Sequence, residues 1–127
     1  MQSNKSYLIQ AIYQWVVDHE KTVQLVVNAK KPEVEVPDQY IDGQGRIVLN
    51  ISPISIRDLD IESDCITFRA SFPDGIHQIY VPMDAVMVIF CKENGQGLSF
   101  DEKGRVTGDG AHSTTGKKKK GLFKLLK

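Results

Sequence analysis

The sequence predicts a mostly β fold: a small, strongly bent β-barrel of Sm or SH3 type behind one N-terminal α-helix, with a flexible C-terminal tail. Three observations carry this. Apolar residues recur at helical spacing only as far as Glu20. From Gln24 to Phe100 the period falls to two, in short runs rich in Val, Ile and Phe bounded by Gly, Pro, Asp and Asn. From Gly104 onward the composition turns polar, with many glycines and lysines, and such a segment buries too little apolar surface to offset the entropy of ordering it.

The helix is expected from about Lys5 to Glu20, capped by Ser3, Asn4 or Ser6 and uninterrupted by proline or glycine. Leu8, Ala11, Ile12, Trp15 and Val16 make one apolar stripe, and Tyr7, Ile9, Tyr13 and Val17 lie outside it. A surface helix needs only one buried face, yet this one is apolar around most of its circumference. Either it is sunk deeply in its own domain, or a second face packs against a twin helix, with small Ala11 permitting close approach. Strands are expected at Gln24–Asn28, Glu33–Val36 (stopped by Pro37), Arg46–Ile51, Cys65–Phe72, His77–Val81 and Val86–Cys91, with Leu98–Phe100 the last. Asp42-Gly43, Asp74-Gly75 and Asn94-Gly95-Gln96-Gly97 supply turn residues, and Pro82–Ala85 reads as a single helical turn.

At 127 residues the chain holds one domain, residues 1–103, then a linker, 104–121, and a terminal segment, 122–127. Net charge is zero but unevenly spread. From Gly104 on, seven basic residues (Arg105, Lys117 to Lys120, Lys124, Lys127) stand against Asp109, net +6, so the body carries −6. An acidic body is a poor match for nucleic acid, whose phosphates dominate affinity. Cys65 and Cys91 lack metal-site or disulfide spacing and read as buried structural thiols in a reducing compartment. No secretory leader pattern opens the chain, and no apolar run approaches the roughly 20 residues that span a bilayer, so a cytoplasmic protein is expected.

Catalysis finds little support. His19, His77 and His112 have no neighbouring pattern of base and nucleophile, and Gly43-Gln44-Gly45 and Gly95-Gln96-Gly97 are short turns rather than phosphate loops. No enzyme, cofactor or metal is expected. The segment Leu122-Phe123-Lys124-Leu125-Leu126-Lys127 is apolar and basic, the character of a short motif that docks on another protein, and tethering raises its local concentration. The alternative is a module that binds nucleic acid or an anionic membrane through Lys117 to Lys120, at about 1 kcal/mol per lysine.

Read in order, the segments resemble the SspB family of bacterial proteolysis adaptors. The resemblance is carried by Tyr7-Leu8, Ala11-x-Tyr13-x-Trp15, Leu25-Val26-Val27, Val36-Pro37 and Tyr40, and Ile47-Val48-Leu49-Asn50-Ile51-Ser52-Pro53. It continues through Ile66-x-Phe68-x-Ala70-x-Phe72, Val81-Pro82 and Glu93-Asn94-Gly95, and the terminal Phe123-Lys124-Leu125-Leu126-Lys127 matches in character. Family linkers are longer and acidic, and the Ile41–Arg46 loop is slightly shorter in relatives.

The resemblance implies an adaptor, not an enzyme, that binds the ssrA tag as an extended peptide and delivers its bearer to the ClpXP protease. It implies a groove drawn from Val48, Leu49, Asn50, Ile51, Phe68, Arg69, Ala70, Ser71, Phe72 and His77. Small Ala70 would leave room for the peptide backbone, and Asn50 would meet peptide amides. Residues 122–127 would dock on the N-terminal domain of ClpX, and a homodimer would form through Tyr7, Leu8, Ala11, Ile12 and Trp15. Neither membrane nor nucleic acid is an expected partner, ribosome association apart.

Overall fold

The structure is a computed structural model describing residues 4–101 and 103–108. One helix, α1 (Lys5–Asp18), leads into β1 (Val23–Asn28), β2 (Arg46–Asn50), β3 (Ile56–Ile61), β4 (Cys65–Phe72), β5 (Gly75–Pro82), β6 (Val86–Cys91), β7 (Gly97–Phe100) and β8 (Val106–Gly108). The strands form two antiparallel sheets, ordered β2-β1-β6-β7-β8 and β3-β4-β5. Both feed one core, with Leu25, Val27, Ile47 and Ile89 from the first and Ile66, Phe68, Ile79 and Val81 from the second. This is the expected mostly β, barrel-like body, although no continuous ladder joins the two sheets among the described residues.

Helix α1 packs on β1 and β6. Its buried face is Lys5, Ile9 and Val16, with Ile12, Tyr13 and Val17 against the same core. That corrects the stripe read from the sequence: Ile9 is fully buried, whereas Ala11 and Trp15 are exposed. Positions 5, 9, 12, 13 and 16 share a face at the helical period, so Tyr7, Ala11 and Trp15 fall on the opposite side. Lys5 enters the core by donating to the Val86 carbonyl at 2.8 Å, its ammonium 5.0 Å from the Phe100 ring centroid. Burial lowers its pKa to about 8.

Three expectations change. The strand expected at Glu33–Val36 is a single bridge between Glu35 and Tyr80, because Glu33 adopts φ 73° and Pro32 and Pro37 lack the donors a longer ladder needs. Strand β3 lies where none was expected. And β7 is not the last strand, since Val106–Gly108 pairs with it inside the segment read from composition as linker. Asp101 folds this end back by accepting from the backbone N–H groups of Lys103 and Arg105, both at 2.9 Å.

Candidate functional site

Strand β4 alternates as its sequence requires, with Ile66, Phe68, Ala70 and Phe72 on one face. Burial loosens along that face: Ile66 and Phe68 are 0% exposed, Ala70 is 9% and Phe72 is half-buried. Ala70 therefore stands where the core opens to the surface. A methyl group there leaves a notch that any larger side chain would fill.

A groove of about 510 Å³ opens at this position. Ala70 lies opposite Ile56 of β3 and His77 of β5. Ile54 and Ile76, 91% and 72% exposed, form apolar rims, and Arg57 and Arg69 add positive charge. The two arginines are cross-strand partners, which costs electrostatic repulsion. A bulge in β3 relieves it. Asp58, at φ 59°, accepts from Arg69 Nη2 at 2.7 Å and from Nε at 2.9 Å. Exposed apolar rims beside a small floor residue and cationic groups suit an extended peptide with alternate side chains to place.

Beside the groove stands an aromatic platform. Phe72 stacks on Tyr40 with centroids 4.9 Å apart and meets the His77 ring edge-on at 5.4 Å. Asp74 joins the pieces, accepting from Gln39 Nε2 at 2.6 Å and contacting His77 Nε2 at 2.8 Å. The His77 hydrogen bond, with help from Gln39, holds the Asp74 carboxyl below its usual pKa. The loop carrying Tyr40 is thus fastened to the β4–β5 hairpin.

Of the residues expected to bind peptide, the structure brings Arg69, Ala70 and Ser71 together in the groove and sets Phe72 and His77 next to it. Leu49, Ile51 and Phe68 point into the core and can only support the walls. Val48 is half exposed on edge strand β2. Asn50 lines a different groove, of about 400 Å³, with Val17, Thr22 and Ile54, and its carboxamide oxygen accepts from Ser52 N–H at 2.9 Å. Ile54, Ile56, Arg57 and Ile76 were missed. Their signal was faint: an apolar residue directly after Pro53 and another directly after Gly75, positions where turns usually place polar groups.

The segment 122–127, His112 and Lys117 to Lys120 lie outside the described residues. Of the helix residues expected at a dimer contact, Tyr7, Ala11 and Trp15 are exposed and Leu8 and Ile12 are half-buried. Cys65 and Cys91 are free thiols in the interior, and burial pushes the Cys65 thiol up. Among the described residues no helix is long and apolar enough to cross a membrane.

Comparison with known proteins identifies the family of the chain. A family model described as stringent starvation protein B matches residues 3–121. A stringent starvation protein B homolog from Haemophilus influenzae is 39% identical over 97 residues, which cover 76% of this chain and 64% of that relative. The match therefore spans a little under two thirds of the relative's length. The extent of the family match and the level of identity lead to one conclusion: the chain belongs to the stringent starvation protein B (SspB) family.

Proposed function

We propose that this protein is a proteolysis adaptor that binds the ssrA tag in the groove at Ala70 and tethers the tagged polypeptide to ClpX through residues 122–127. The observation that carries the reading is the groove itself: a small floor residue between two exposed isoleucines and two arginines, in a member of the SspB family. We read the groove as a binding surface. Its chemistry is recognition, with rims that take apolar side chains and guanidinium groups that take carbonyl or carboxylate oxygens.

The test is fluorescence anisotropy of a labelled ssrA-tag peptide titrated with the full chain and with Ala70→Gln. Saturable binding by the full chain is expected, weakened about tenfold or more in the variant, since obstructing a close contact costs at least about 1.4 kcal/mol. Circular dichroism of the variant should stay native, because Ala70 borders solvent. A natively folded variant with unchanged affinity would remove Ala70 from the site. No binding by the full chain at tens of micromolar would remove the tag as ligand.

A further inference from the structure

We propose that the lysine run Lys117–Lys120 docks on the chain's own body, in an acidic-rimmed groove at the foot of β6. The groove, of about 520 Å³, is separate from the one at Ala70. Pro32, Tyr80, Pro82 and Met83 give it apolar walls, and Glu33, Asp64 and Asp84 supply carboxylates. Lysine suits such a lining, since its aliphatic stem lies along apolar surface while the ammonium reaches an acidic rim.

Among the described residues no basic side chain lines this groove. Lys31 sits on the turn leading into it, and the Lys5 ammonium is turned inward to the Val86 carbonyl. More negative charge lies beyond the rim. Ligand atoms of Glu62, Asp64 and Cys65 fall within 4.8 Å of one another, and neighbouring Asp60 holds the Glu62 carboxyl above its usual pKa. Crowded carboxylates gain from an arriving cation.

Residues 109–127 hold six lysines against Asp109, net +5, and they follow directly on Gly108 at the end of β8. Val88 pairs with Ser99, and Ser99 with Gly108, so Gly108 stands two strand spacings, about 10 Å, from β6. Val88 is only four residues beyond Asp84, which puts Gly108 roughly 16 Å from the groove. The eight residues from 109 to 116 reach at most about 26–29 Å, enough to deliver Lys117 to the rim. Asp84 and Asp101, at the start of the turn into β8, both act on the Lys5 ammonium, which places them in one neighbourhood. While docked, the lysines are withheld from other anions and the terminal segment is held close to the body. The contact requires neither tag nor unfoldase, so its fate is independent of the adaptor reading.

The experiment uses the full chain with a nitroxide on Ser113→Cys, Cys65 and Cys91 being buried. Amide signals of Glu33, Asp64, Tyr80 and Asp84 should broaden about twofold or more at low salt and recover near 1 M salt, where the screening length falls to about 3 Å. Replacing Lys117 to Lys120 with glutamine should abolish the broadening and leave the body's spectrum unchanged. Glu33→Gln with Asp84→Asn should also reduce it, the spectrum reporting whether the fold survives. Broadening elsewhere, or none at low salt, would overturn the proposal. So would broadening that appears when a labelled chain is mixed with an unlabelled isotopic one, since the occupant would then be a second copy.

Discussion

Glu93 reaches across to the start of β1, accepting from the Thr22 backbone N–H at 2.9 Å and from its hydroxyl at 2.8 Å. It fastens the β6–β7 turn to the strand that opens the large sheet. Gly97, at the end of that turn, has no substitute, because a Cβ there would lie 2.0 Å from the Ile89 carbonyl oxygen. The Glu93-Asn94-Gly95 run thus serves the fold rather than the groove. Hydrogen bonds from Thr22 favour the charged carboxylate and lower its pKa from 4.5 to about 2. A depressed carboxyl contributes stability above its unfolded pKa and loses it as pH falls through the folded one. The stability gap between the wild-type chain and Glu93→Gln should therefore hold constant above about pH 5 and close steadily between about pH 4.5 and 2. Urea titrations across that range check it, and a gap that ignores acid would mean the carboxylate's charge does nothing there.

At the scale of elements, α1 has more apolar surface than its own domain covers. Tyr7 is 70% and Trp15 41% exposed, with Ala11 between them one turn from each. We propose that a second copy's helix covers this line. Ala11→Glu should then weaken self-association about tenfold or more, because a dry interface leaves the carboxylate unpaired, while the monomer keeps its fold since Ala11 is exposed there. Sedimentation showing an undiminished dimer would refute the contact, as would a wild-type chain that is monomeric at high concentration.

How much of the fold could be read from sequence follows from the same elements. Strands β1, β2, β4 and β5 alternate over most of their length and were legible, and β6 was legible as a continuous apolar run, Val86–Cys91, between turn residues. Strand β3 was not, because Ile-Arg-Asp-Leu-Asp-Ile carries a bulge at Asp58 that breaks the period of two, and aspartate is rare in strands. The helix was legible as an element but not in orientation, since a helix apolar on both sides does not say which face its own core takes. Ala70 was named from resemblance, whereas its partners Ile54 and Ile76 sit in or beside turns, where no periodicity assigns a side chain to a face.

For the molecule as a whole, body and tail have separable jobs in the adaptor proposal. That proposal assigns peptide binding to the groove at Ala70 and ClpX binding to residues 122–127. Between the last described residue and Leu122 lie residues 109–121, whose fully extended reach is at most about 43–47 Å. Two tails on a dimer could gain roughly 10²–10⁴ in apparent affinity over one, provided that reach spans two docking sites. Deleting Leu122–Lys127 should therefore abolish stimulation of ClpXP degradation at low concentrations of tagged substrate while leaving tag affinity by anisotropy unchanged. Substrate near saturation should hide the difference, because tethering raises local concentration and adds nothing once the unfoldase is full. Stimulation that survives the deletion would move the ClpX contact onto the body. Loss of tag affinity together with stimulation would mean that the terminal segment belongs to the peptide site itself.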